Sequence, residues 1–212
     1  MIELINVTKT FKKEQVLKET TVTFEKGKIT GIIGRNGSGK TVLMKMICGL
    51  LSPTSGTVVV NGERIGKDVD FPTDIGIIIE TPSFVPHQSA LTNLKNLAAI
   101  RGKVKEERIK EVIELVGLNP NDKKRVGKFS LGMRQRLGIA QAIMEDPALL
   151  VLDEPMNGLD KGGVEDMRKL FKELKEEGKT ILLCSHNAED IAVLCDEVYE
   201  MEKGVMSRVS DS

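Results

Sequence analysis

Four short stretches of the chain are almost wholly apolar: ITGIIG (29–34), IGIII (75–79), ALLVLD (148–153) and TILLCS (180–185). Short apolar runs without polar alternation predict strands covered on both faces, as in a parallel sheet. Elsewhere the period changes. Val42, Leu43, Met46, Ile47 and Leu50 recur at helical spacing within 41–50, and Val164, Met167, Leu170, Phe171 and Leu174 do so within 164–178. Strands alternating with helices predict a doubly wound α/β sheet. The first third adds strands of another kind. IELINV (2–7) reads as one, and VLKETTVTFEKGK, with Val22 and Phe24 alternating and Gly27 turning the chain, reads as a second. TVVVNGERI (57–65) sets Asn-Gly between two strand-like runs, a strong hairpin signal. Antiparallel β structure is therefore expected there. Residues 86–145 show helical patterns only, through HQSALTNLKNLAAIRG, KEERIKEVIELVGL and SLGMRQRLGIAQAIM. The expected organisation is one domain over 1–212. Its α/β core with the antiparallel part comes from 1–85 and 146–212, and a helical subdomain is inserted at 86–145.

Composition narrows the function. Lys+Arg and Asp+Glu balance at 31 each, which argues against a broad electrostatic grip on nucleic acid. Aromatics make up only 3% and Trp is absent, so base-stacking platforms are not expected. Cys48, Cys184 and Cys195 stand apart in apolar contexts with no CxxC spacing, so a metal or redox motif is not expected. Free, buried thiols suit a reducing cytosol. The start, MIELINVTK, has no signal-peptide core, and no stretch has the apolar length of a membrane span. A membrane partner, if the function needs one, is a separate chain.

Two segments carry chemistry. GRNGSGKT (34–41) fits GxxxxGK[ST] between a strand and a helix, the context that pattern needs. Gly34, Gly37 and Gly39 let backbone N–H groups of the loop, Arg35, Asn36 and Ser38 included, crowd towards phosphate oxygens. The following helix points its N-terminus at the same anion. Lys40 is positioned for the β- and γ-phosphates, and the Thr41 hydroxyl for Mg²⁺. LLVLDEP (149–155) is an apolar strand that delivers two carboxylates. Asp153 is the candidate on the Mg²⁺ side, and Glu154 the candidate for orienting and polarising the attacking water.

With these motifs in place the whole chain resembles the nucleotide-binding subunit of ATP-binding-cassette (ABC) proteins. FSLGMRQR (129–136) looks like that family's LSGGQ-x-QR signature, keeping Ser130 and Gly132 but with Leu131 and Met133 substituted. NGLD (157–160) resembles its D-loop, which ends here in Asp160. Ser185-His186 resembles its switch histidine, and Phe11 stands where an aromatic stacks on adenine. The resemblance implies a P-loop NTPase (RecA-like) core. It also implies ATP and Mg²⁺ as cofactors and a site shared between two chains closing head to tail. Ser130 suits a helix N-cap, and Met133, Leu137, Ala140 and Met144 give the helix behind it one docking face. His87 lacks such support, and a surface or packing role is expected.

IGIIIETPSF (75–84) ends its apolar run at Glu80, where most ABC subunits have Gln. Together with FSLGMRQR, this glutamate resembles the bacitracin-resistance and lantibiotic-immunity branch of exporters, whose members often continue past the cassette. This sequence looks like the cassette alone. A carboxylate there is a hard oxygen ligand favourable beside Mg²⁺ and repulsive beside bare γ-phosphate, so Glu80 is a candidate for both metal binding and nucleotide sensing. The resemblance implies an energy-coupling ATPase at the cytoplasmic face of the membrane, paired with a transmembrane permease and a second nucleotide-binding subunit. The alternative is a soluble ABC-type ATPase serving cofactor assembly or another non-transport role. A P-loop kinase or GTPase does not account for the signature.

Overall fold

The computed structural model describes residues 1–209. Two sheets divide the strands. β1 (Ile2–Phe11), β2 (Glu14–Phe24), β4 (Ser55–Val60) and β5 (Glu63–Arg64) form a four-stranded antiparallel sheet in the order β2-β1-β4-β5. The β4–β5 turn is the expected Asn61-Gly62 pair. β3 (Ile29–Ile33), β6 (Ile75–Ile78), β7 (Leu149–Asp153), β8 (Thr180–Cys184), β9 (Glu197–Glu202) and β10 (Val205–Arg208) form the second sheet. Its order is β10-β9-β3-β8-β7-β6, parallel throughout except for β10. The helices are α1 (Lys40–Ile47), α2 (Ala90–Arg101), α3 (Glu106–Leu115), α4 (Leu131–Ile143), α5 (Lys161–Glu176) and α6 (Ala188–Leu194). Of these, α2, α3 and α4 all fall between β6 and β7 in the chain.

The apolar runs are continuous because the parallel sheet separates two cores. Successive side chains of a strand point to opposite faces. Leu150 and Leu152 of β7 and Ile181 and Leu183 of β8 join the helical core with α2–α5. Leu149, Val151, Leu182 and Cys184 join the other core, between the sheet, α1 and the antiparallel strands. No position in the middle of either strand meets water, so no polar alternation appears.

Several expectations need correction. β6 is an edge strand, so Ile75 and Ile77, and Ile79 just past its end, are only half-buried rather than covered on both faces. β1 runs on to Phe11 through Thr8, Lys9 and Thr10, because it is held on both sides by β2 and β4. α1 closes at Ile47, where Leu50 returns its N–H to the Lys45 carbonyl, so Leu50 lies off the helical face and is exposed. Cys48 and Cys184 are buried as free thiols, but Cys195 is only half-buried. The pattern reading also lacked α6, β9 and β10. β9 hides because a charged residue occupies a buried position. Glu197 is held there by Lys28 and Arg208, which interrupts the alternation that Tyr199 and Met201 complete.

α4 packs against β6 with little clearance. A Cβ placed on Gly76 would lie 2.0 Å from the Ala142 carbonyl oxygen, which is backbone and cannot swing away. Gly76→Ala is therefore expected to cost about 1–3 kcal/mol by overpacking. By contrast, Gly162→Ala adds a methyl to α5 with nothing within 4 Å and should stabilise by about 0.5–1 kcal/mol. Denaturant unfolding of the two variants checks both signs.

Candidate active site

The loop between β3 and α1 forms one wall of a cavity of about 460 Å³. Gly34 opens it at φ 145°, with the Met201 carbonyl of β9 only 2.2 Å from where a Cβ would sit, so no other residue fits. α1 begins at Gly39 with no side-chain cap, unlike α2, α4, α5 and α6, whose N-caps Ser89, Ser130, Asp160 and Asn187 each accept a backbone N–H. Its first N–H groups are left for an anion. Lys40 is buried and donates to the carbonyls of Gly34 (2.6 Å) and Arg35 (3.2 Å). Asn36, Gly37, Gly39, Lys40 and Thr41 line the cavity, whereas Arg35 and Ser38 face a neighbouring groove towards Glu200 and Lys203. The buried Ser38 hydroxyl has no hydrogen-bond partner.

Parallel strands bring the acids to the same cavity. Thr41 Oγ1 donates to Asp153 Oδ2 at 2.8 Å. Burial holds the Asp153 carboxyl above the usual carboxylate range, against the Thr41 hydrogen bond and the charge of Lys40, with the charges of Glu154 and Glu80 adding to the rise. A buried carboxylate beside a hydroxyl and two further carboxylates is an oxygen-only donor set that suits Mg²⁺. Among the described residues no three His, Cys, Asp or Glu form a closed metal cluster. Mg²⁺ takes a few protein oxygens and completes its shell from phosphate and water. Glu80 lines the cavity, but its carboxylate is paired with Lys45 at 2.7 Å.

Glu154 follows Asp153 with φ 50°, the left-handed region that a non-glycine residue rarely occupies. Three contacts hold it there: its N–H donates to the Cys184 carbonyl at the end of β8, and its carbonyl accepts from Gln135 of α4 and from the Asn157 N–H. Its carboxylate meets His186 Nδ1 at 2.8 Å. His186 is held from behind. Ser185 accepts the Asn187 N–H and donates to buried Asp190. Asp190 is itself paired with Arg168 of α5.

The signature-like residues lie elsewhere. Ser130, Gly132, Met133 and Asp160 line a second cavity with Arg136 and Leu118, while Leu131 and Gln135, also on α4, line the first. Ser130 Oγ accepts the Met133 N–H at 3.2 Å, and Asp160 Oδ1 accepts the Gly163 N–H at 3.0 Å. Leu137, Ala140 and Met144 are buried and Met133 is partly buried, on the docking side of α4. Phe11 sits exposed at the tip of the β1–β2 hairpin, the Lys9 ammonium 4.9 Å from its ring centre. It does not line the first cavity, although Val16 from the same hairpin does. His87 is exposed. Pattern reading passed over Val16 and Lys45, which reach the site across the fold and are marked by no local motif, and it gave Gln135, inside the signature-like segment, no role of its own.

Comparison with known proteins follows this geometry. Residues 17–157 match the family model described as ABC transporter. The chain is 46% identical over 204 residues to the uncharacterized ABC transporter ATP-binding protein YybJ of Bacillus subtilis (strain 168), covering 96% of this chain and 94% of that one. It is 42% identical over 206 residues to the bacitracin transport ATP-binding protein BcrA of Bacillus licheniformis, covering 96% of this chain and 67% of BcrA. In three dimensions it superposes on the dimeric, ADP- and Pi-bound structure of the ATP-binding cassette MJ0796 with a TM-score of 0.88, at 24% identity over the full length of both chains.

The raised Asp153 carboxyl sets a pH dependence. The folded chain holds this proton at pH values where the unfolded chain has lost it. The resulting stability is complete below about pH 4, the ordinary Asp value, and is lost as pH rises through the elevated folded value. Asp153→Asn keeps an acceptor for Thr41 and removes the buried charge. The variant should melt no lower than the parent at pH 7, lose that pH dependence and lose Mg²⁺-dependent nucleotide binding. Thermal melts across pH, with and without nucleotide, check all three.

Proposed function

This chain belongs to the ABC transporter family of ATP-binding domains, and on that premise we propose that it is the ATP-hydrolysing, energy-coupling subunit of an exporter of antimicrobial-type peptides. The observation that carries this reading is the separation of two half-sites on one chain. The phosphate loop and acids share one cavity, with His186 bonded to Glu154 at its side, and Ser130, Gly132 and Met133 line another with Asp160. A second copy turned head to tail would set its Ser130, Gly132 and Met133 against the phosphates held by the first. The fold likeness to a dimeric cassette supports that arrangement.

The roles follow from the contacts. The open N-terminus of α1 and the loop N–H groups take the phosphates. Lys40 exchanges its loop carbonyls for phosphate oxygens, which are stronger partners because they are charged. Thr41 and Asp153 would hold Mg²⁺, with Glu80 at its edge. When bound, that ion neutralises charge developing on the phosphates. Glu154 orients the attacking water and accepts its proton. His186, already within hydrogen-bond reach of Glu154, keeps the carboxylate aligned and faces the γ-phosphate. Asp160 caps α5 beside the signature residues, and the exposed Phe11 ring offers a face to adenine.

Among the described residues no helix is long and apolar enough to cross a membrane. The likeness to ATP-binding proteins of transporters supports a separate permease as partner, with this chain on its cytoplasmic face. The helices of 86–145 and the loop after Glu80 would form the docking groove. The peptide class of the cargo rests on the likeness to BcrA, the name of which specifies bacitracin transport.

Glu154→Gln should bind ATP as the parent does and lose about 10²–10⁴-fold in turnover, the range of a general base. Lys40→Ala should weaken or abolish ATP binding itself. Fluorescent-nucleotide binding and steady-state phosphate release separate the two. Undiminished turnover in both variants would refute these roles.

A further inference from the structure

Lys45 has no part in the roles assigned above. It lies one helical turn beyond Thr41 on the same face of α1. Thr41 donates to Asp153 at the end of β7, and Lys45 donates to Glu80 just past the end of the neighbouring β6. One helix thus makes two like contacts, a turn apart, to adjacent strands. The β6–β7 ladder ends with Ile78 paired to Leu152, and just beyond it Glu80 and Glu154 line the same cavity. Both residues hold left-handed backbones, at φ 61° and 50°, and each carboxylate is held by one side-chain partner, Lys45 for Glu80 and His186 for Glu154. Glu80, Asp153 and Glu154 line one cavity, which places three acids together. Of the two ammonium groups that α1 supplies here, Lys40 is engaged with Gly34 and Arg35, and Lys45 alone is paired with a cluster acid.

We propose that Lys45 is a positioning residue: an internal counter-ion that holds Glu80 at the rim of the cavity until Mg²⁺ competes for the same carboxylate. The inference rests on the ATPase reading. Glu80 has two alternative cationic partners, an ammonium on α1 and a hard metal ion beside Thr41 and Asp153. Lys45 and Glu80 are partly exposed, with side chains 33% and 66% accessible. An exposed pair is weak enough for a divalent ion to displace. Arrival of Mg²⁺-nucleotide would then free Lys45 and turn Glu80 inward, linking metal occupancy to the position of the chain after β6. A glutamine at position 80 could not work this way, because a neutral amide forms no ion pair.

The test is a double-mutant cycle on metal linkage, measured at equilibrium rather than by turnover. Fluorescent ATP binding is titrated with Mg²⁺ in Glu154→Gln protein carrying Lys45→Met, Glu80→Gln, both or neither. Lys45→Met alone should lower the half-effective Mg²⁺ concentration by about two- to five-fold, the scale of an exposed ion pair. In the Glu80→Gln background the same change should leave the midpoint near its starting value. An unchanged midpoint with Lys45→Met, or an equal shift in both backgrounds, would overturn the counter-ion role while leaving the ATPase reading intact. Failure of the Glu154→Gln parent to bind nucleotide at any Mg²⁺ concentration would instead sink the ATPase reading and the counter-ion with it.

Discussion

The Thr41 hydroxyl meets Asp153 at 2.8 Å, and that contact joins the phosphate loop to the strand that delivers the acids. Asp153 is buried at the end of a strand that is apolar up to that point, so its charge has little water to answer it. The fold accepts the penalty, as the raised carboxyl shows, and gains a carboxylate fixed beside the open end of α1. Everything else at the site is arranged around that fixed point. Glu154 follows it by one residue, His186 leaves the adjacent strand, and Glu80 lines the same cavity from just past the end of β6 on the other side.

Each charged group of the cavity also has a partner within the chain. Lys40 is held by two loop carbonyls, Glu154 by His186, and Glu80 by Lys45. Ser130 is engaged too, as the acceptor of its own helix cap, with its hydroxyl proton left to donate. These contacts keep a dense cluster of charge stable and pre-aimed. They are also what a phosphate, a metal ion or a second chain must replace, so binding is an exchange of partners. On the proposed reading, such exchange would let nucleotide arrival reposition the segments that follow β6 and β8.

The chemistry was legible in the sequence where its residues are contiguous. Gly34 to Thr41, Asp153-Glu154 and Ser130 to Arg136 each sit in one short segment whose spacing has a mechanical reason. The parallel strands β3, β7 and β8 were legible for a related reason: two cores flanking one sheet leave no solvent-facing position in the middle of these strands. What stayed hidden depends on contacts between distant segments. The edge position of β6 follows from strand order, which no property of IGIII reveals. β9 was masked because Glu197 is buried by virtue of Lys28 and Arg208. Lys45 reads as one more surface lysine until α1 is laid beside the end of β6, 35 residues on. Gln135 and Val16 reach the cavity by the same kind of long-range placement.

The central claim is that the two cavities of one chain form a single site only when two copies meet head to tail. Cys48 and Cys184 are buried, and replacing the half-buried Cys195 by Ser leaves cysteines introduced at Asn36 and Met133 as the reactive thiols. Bis-maleimide cross-linking of the Asn36→Cys/Met133→Cys chain, with Glu154→Gln to block turnover, is the direct measurement. Cross-linking between two chains should appear with ATP and be absent without it, and either cysteine alone should give none. A link within one chain, or a yield independent of ATP, would contradict the shared site.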